Sequence, residues 1–181
     1  VDLDDMYESE NDEHKKDEDL KIGSVSGLHF PLESDRSTRI SLDNIRKGDA
    51  GLNKHREALL NRVPNQNEWA KFEKNEIEIK DLAYLSAWTG DEFALMRGKN
   101  SDILFHGDPL SCHLENDDML MSLFYSHKIA LEAHSHPDFE RIVPSTEDRN
   151  FLKAIGQKES KIISSYTGKI VTFTQDRFDF S

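Results

Sequence analysis

One stretch of the sequence leaves little choice of local structure. PSTEDRNFLKAIG (144–156) carries a complete set of helix signals: Pro144 ahead of Ser145 as N-cap, acids in the first turn, and Gly156 at the end. Just before it, KIALEAHSH (128–136) is an apolar run that reads as a buried strand ending in two histidines. Just after it, SKIISSYTGKIVTFT (160–174) reads as two strands around Thr167–Gly168. A buried strand, a capped helix and two further strands commit this part of the chain to a sheet with helices packed on it.

Upstream the pattern is less uniform. Glu68 to Trp88 predicts one long helix, with Ile77, Ile79, Leu82, Leu85 and Trp88 at roughly helical spacing and Gly90 as its stop. By the same reading Trp69, Phe72 and Trp88 are core residues. EFALMRG (92–98) and DILFHG (102–107) predict a hairpin, and residues 116–127 a helix opened by Asn116. From about residue 68 the order is helix, two strands, helix, strand, helix, two strands, which is an α+β or three-layer α/β/α domain. Before it, Leu42 to Arg62 predicts two helical pieces broken at Gly48–Gly51, and Ile22 to Ile40 irregular chain or a short edge strand. Residues 1–20 are dominated by Asp and Glu and predict a disordered tail or linker. Three parts follow: an acidic tail (1–20), a partly helical extension (21–67) and the main domain (68–181).

Composition narrows the function. The net charge of −12 argues against nucleic-acid and anionic-membrane surfaces, which need Lys and Arg to neutralise phosphates. A single cysteine, Cys112, rules out an internal disulfide and a thiolate metal cluster, and fits a reducing, cytoplasmic setting. The chain opens on Val1 and is read as a segment of a longer polypeptide. Cys112 beside His113 makes a poor nucleophile pair, because adjacent side chains point apart. His106 and His127 read as loop or surface groups, and KHRE (54–57) as a solvated helix face.

The chemistry sits at the strand end. Side chains two apart on a strand leave on the same face, so His134 and His136 in HSHP can converge on one ion. Asp148, in the first turn of the following helix, supplies a third ligand. Two histidines and a carboxylate leave the fourth tetrahedral position open, as in catalytic zinc sites. S-x-x-D is also a helix capping pattern, and a capped helix start is a rigid place from which to hold a ligand.

H-x-H-P, a short loop and S-x-x-D together resemble the signature of the JAMM (MPN-type) zinc metalloproteases. Eight residues, 137–144, separate His136 from Ser145, one more than that family usually has. The resemblance covers roughly the last 110 residues and implies a mixed sheet flanked by helices, of the cytidine-deaminase-like kind. It implies Zn2+ on His134, His136 and Asp148, Glu92 as general base on the attacking water, and Ser145 supporting the oxyanion. Glu132, two residues before His134, is the rival base and fits better as a supporting acceptor. The implied activity is cleavage of a peptide or isopeptide bond in a protein or peptide substrate, including ubiquitin-like ones. Two other readings stand beside it: a non-catalytic binding module of the same fold, and a processing or toxin domain of a larger bacterial or phage protein. Metallo-β-lactamase-like hydrolases fit less well, since Phe139 stands where their next histidine belongs. Zinc deaminases need a cysteine pair, and no H-E-x-x-H, P-loop or G-x-G-x-x-G occurs.

Overall fold

The strand that ends in HSHP lies at the middle of a seven-stranded mixed sheet, and its neighbours explain the rest of the architecture. The computed structural model describes residues 29–137, 142–176 and 178–179; the predicted acidic tail lies outside them. The strands are β1 (Glu68–Glu73), β2 (Phe93–Gly98), β3 (Ser101–His106), β4 (Ile129–His136), β5 (Glu159–Ser164), β6 (Ile170–Thr174) and β7 (Phe178–Asp179), in the order β1-β3-β2-β4-β5-β6-β7. All pairs are antiparallel except β4 with β5, which run parallel. A parallel pair needs a crossover, and the helix 146–155 supplies it.

Five α-helices among the described residues cover both faces: α1 (His29–Lys47), α2 (Lys54–Arg62), α3 (Ile79–Thr89), α4 (Asp118–Tyr125) and α5 (Thr146–Ile155). One core cluster joins Leu42, Ile45 and Leu59 of α1 and α2 to Leu82 and Leu85 of α3 and to Phe93, Leu95 and Leu104 of the sheet. The other, on the opposite face, joins Leu120 and Phe124 of α4 and Leu152 and Ile155 of α5 to Met96, Leu131, Ile162 and Phe173. The fold is mixed α/β with helices on both sides of the sheet. Residues from the 21–67 extension are thus part of the same core, and Gly168 shows how closely α1 approaches: a Cβ there would run into Thr38.

Two predicted elements need correction. Residues 68–88 are not one helix. Glu68–Glu73 is an edge strand paired with β3, Trp69 opposite Phe105 and Phe72 opposite Asp102. A turn through Asn75, at φ 65°, separates it from α3. The apolar spacing from Ile79 onward is truly helical, but Trp69, Ala70 and Phe72 suit a helix and a strand alike, and pairing with β3 made this part a strand. Phe72 is core, Trp69 half-buried, and Trp88 is 47% exposed, contrary to its predicted core role. Residues 29–40 are likewise helical, as the front of α1, rather than irregular or strand. Residues 33–39 are all polar, so no apolar spacing marks a helix there; packing of Leu42 and Ile45 against α3 and the sheet supplies what the local pattern lacks. A smaller shift moves the cap of α4 from Asn116 to Asp117.

Within β4 a bulge decides which residues face where. Leu95 pairs with Ala133 and Met96 with Leu131, so Glu132 is the extra residue. Before the bulge, Ile129 and Leu131 face the α4–α5 side; after it, Ala133 faces α3 and His134 turns to the side of Leu131. Glu132 therefore does not share a face with His134 by simple alternation. It lies beside Lys161 of β5, with Nζ 3.9 Å from its carboxylate.

Candidate metal and catalytic site

Ser135 fixes the strand end from behind. Its hydroxyl accepts the Phe93 N–H at 3.0 Å and is hydrogen-bonded to the Ser86 hydroxyl of α3, which in turn donates to Asp91 O at 2.7 Å. With Ser135 held on the α3 side, both flanking imidazoles are directed to the other face. His134 and His136 are buried, with their Nε2 atoms 3.2 Å apart. The His134 ring also meets Phe173 edge-on at 6.0 Å.

The helix start brings the carboxylate. Ser145 and Asp148 form a reciprocal capping box: the Asp148 N–H donates to Ser145 Oγ at 3.0 Å, and the Ser145 N–H donates to Asp148 Oδ2 at 2.8 Å. An acid in the first turn also suits the positive end of the helix dipole. Capping leaves Asp148 facing the histidines, with Oδ1 3.2 Å from His134 Nε2 and Oδ2 3.6 Å from His136 Nε2. Ser145 itself is exposed at the mouth of the site.

Glu92 arrives from the start of β2. Its N–H donates to Asp108 O at 3.0 Å and its carbonyl accepts the Gly107 N–H at 2.7 Å, so the loop after β3 holds its backbone on both sides. Gly107 is required there: a Cβ would lie 2.5 Å from Ser111 O and 3.0 Å from Glu92 O. The Glu92 carboxylate is buried, 3.9 Å from His134 Nε2. Glu92, His134 and His136 offer ligand atoms that all lie within 4.8 Å of one another, a buried group able to hold a metal ion.

Electrostatics tie the group together. Burial pulls the His134 imidazole down, but the Asp148 carboxylate, with Glu92 behind it, outweighs burial and raises it to about 9. Burial likewise pushes Asp148 up, and His134 followed by hydrogen bonds from both imidazoles and the Ser145 backbone holds it well below the usual carboxylate range. Two acids and two imidazoles thus share one buried point beside a cleft of about 620 Å³.

The structure brings all five predicted residues, Glu92, His134, His136, Ser145 and Asp148, to the lining of this one cleft. Cys112 lines it too, but is buried, and its thiol is pushed well up by burial, then by Glu92 and Asp148, the wrong direction for a nucleophile. His106 is not the surface group predicted. Its ring stacks on Phe93 at 4.6 Å, Nε2 lies 2.6 Å from Asp91 Oδ2, and Nδ1 lies 2.8 Å from Pro64 O. This network braces the residue preceding Glu92, and only the proximity of Asp91 to Glu92 in sequence hinted at it. His127 is exposed, as predicted. The KHRE face is only partly solvated, since Arg56 and His55 reach Asp81 of α3 at 2.8 and 3.1 Å.

No helix among the described residues is long and apolar enough to cross a membrane. Comparison of the chain with protein-family models, with curated proteins and with solved structures finds no match.

Proposed function

We propose that the chain is a zinc-dependent hydrolase of the JAMM type that cleaves a peptide or isopeptide bond. The observation that carries this reading is the spacing of the donors. Ligand bonds of 2.0–2.1 Å around a tetrahedral ion put donor atoms about 3.3–3.4 Å apart. His134 Nε2 to His136 Nε2 at 3.2 Å and Asp148 Oδ1 to His134 Nε2 at 3.2 Å lie close to that value, and the other Asp148 oxygen, Oδ2, lies 3.6 Å from His136 Nε2. Glu92 at 3.9 Å stands just outside it, where a base belongs rather than a ligand. His134, His136 and Asp148 would hold the ion.

Zinc, when bound, supplies a Lewis acid that acidifies water and polarises a carbonyl. Glu92 takes a proton from the attacking water as its oxygen bonds to the carbonyl carbon. It then passes that proton to the nitrogen as the C–N bond breaks, and the water's second proton follows from the new carboxyl group to the amine, giving a carboxylate and an ammonium group. Ser145 Oγ accepts the Asp148 N–H and keeps its own hydrogen to donate toward the carbonyl oxygen as charge develops there.

The capping box accounts for Ser145 and Asp148 without any ion, and this favours the second reading, a non-catalytic module. Metal content separates the two. Mass spectrometry of purified protein is expected to find about one zinc per chain, lost in a His134→Ala/His136→Ala double variant. No zinc after reconstitution sinks the hydrolase reading. Given zinc, Glu92→Gln keeps the metal and lowers turnover by about 10²–10⁴; retained turnover reassigns the base.

A further inference from the structure

The two imidazoles at the end of β4 are not held alike. His134 is paired on both sides, with Ala94 of β2 and with Ile162 of β5. The β2 ladder reaches only as far as His134; His136, two residues on, is paired with Ser164 of β5. The turn after β5 then closes on this end of the strand. The Ser165 N–H donates to His136 O at 3.2 Å, and Ser165 Oγ donates to Pro137 O at 3.1 Å. Ser165 is fully buried. The turn is also tied within itself: Ser164 Oγ accepts the N–H groups of Tyr166 and Thr167 at 3.0 and 3.1 Å, and the Gly168 N–H donates to Ser164 O at 2.9 Å. Where the turn sits, His136 sits.

The place of the turn is set by α1. Thr38, Leu42 and Arg46 recur every four residues and form one stripe along that helix. At one end of the stripe, a Cβ on Gly168 would lie 2.4 Å from Thr38 Cγ2 and 3.7 Å from Leu42 Cδ1, so helix and turn are in direct contact. At the other end, the Arg46 guanidinium donates to Ser165 O and lies over the Tyr166 ring, 3.8 Å from its centre. Asp43, one turn earlier, stands 3.4 Å from the same guanidinium and helps to aim it. Arg46 grips Ser165 from behind while Ser165 grips His136 in front.

We infer that Arg46 is a positioning residue for the metal centre: through Ser165 it fixes the end of β4 and with it the His136 ring. This rests on the proposed ligand set for what His136 does, and on these contacts alone for how His136 is held. Arginine suits the task, because its planar fork donates at the edge while its face stacks on an aromatic ring. Metal affinity depends on the groups that orient each ligand, and losing one costs roughly 10–100-fold.

Zinc affinity, read by competition with a chelator, and the visible spectrum of Co2+-loaded protein test this without a substrate. Arg46→Met keeps the apolar stem and removes the donors. It is expected to bind zinc about 10-fold more weakly and to shift the cobalt bands, which report the arrangement of the ligands. Arg46→Lys keeps a donor for Ser165 O and should recover part of the affinity. Ile45→Val, a core truncation one residue away on the same helix, is expected to lower the melting temperature and leave zinc affinity and cobalt bands as in the parent. Parent-like affinity and bands in Arg46→Met overturn the inference. So does an equal fall in Ile45→Val, which makes α1 a purely structural support. A parent that holds no zinc fails the hydrolase reading alone, and the inference is then decided by NMR of the imidazole signals in metal-free protein. Movement of the His136 signals in Arg46→Met beyond that in Ile45→Val supports it; unmoved His136 signals overturn it.

Discussion

Two buried charge clusters in this protein are built from similar materials and end differently. At the β1–α3 turn, Asp102 is fully buried and each oxygen is answered: Arg97 Nη1 at 2.8 Å, Lys74 Nζ at 3.3 Å and the Asn75 N–H at 2.8 Å, with Arg97 also donating to Ile77 O. Two cations and a backbone amide surround one acid, and the cluster is closed. At the end of β4 two acids meet two imidazoles, at separations of 3.2–3.9 Å, and the group lies at the wall of a cleft. Both sites are buried and both are charged. What differs is the balance. The first has two cations and an amide for its one acceptor; the second sets two carboxylates against two imidazoles, and Asp148 with Glu92 raises the His134 imidazole against the pull of burial. Burial of charge by itself therefore marks architecture, and an acceptor-rich cluster open to a cleft marks a place for a cation.

The comparison breaks most visibly at the closed cluster. Asp102→Ala removes the buried carboxylate that Arg97 and Lys74 share, and unfolding in urea is expected to show a loss of about 3–5 kcal/mol, while zinc per folded chain stays as in the parent. If zinc is lost with little change in stability, the assignment of the two clusters is the wrong way round. A smaller effect separates the two duties of the capped helix. Ser145→Ala removes the cap of α5 and is expected to cost about 1 kcal/mol with the metal retained. Asp148→Asn keeps an oxygen for the Ser145 N–H and so changes stability less, but its zinc affinity, read by competition with a chelator, should drop at least tenfold. Equal zinc affinity for Asp148→Asn and the parent would move the third ligand to Glu92.

The smallest expected effect concerns the loop that clamps Glu92. Asp108 accepts the N–H groups of Leu110 and Ser111, and these hold its carboxyl below the usual range. A carboxyl lowered by folding adds stability above its unfolded value and loses it as pH falls through the folded one. The melting temperature of the parent is therefore expected to fall slightly more than that of Asp108→Asn between pH 5 and pH 3. Parallel curves would show that the loop does not depend on this turn.

What could be read from the sequence depended on how local the cause was. The α5 helix was legible residue by residue, because Ser145, Asp148 and Gly156 act within one element. So was the hairpin of β2 and β3. The edge strand Glu68–Glu73 was not, because its apolar residues suit a helix and a strand alike, and pairing with β3, some thirty residues on, decided between them. The convergence of His134 and His136 was readable from alternation within one strand; the support from Ser86, Asp91 and His106 was not, because it joins α3, β2 and β3, which have no common motif. Glu132 shows the opposite error. Alternation placed it with the histidines, and an extra residue moved it away.

That extra residue sets more than the place of one glutamate. Along an uninterrupted strand, His134 and His136 would stand over Ala130 and Glu132, and the ground beneath the imidazoles would be acidic. With the bulge they stand over Leu131, and Glu132 is left to Lys161 on the neighbouring strand. A single step in register thus decides whether the site rests on a charged or an oily bed, and so how strongly every charge above it is felt.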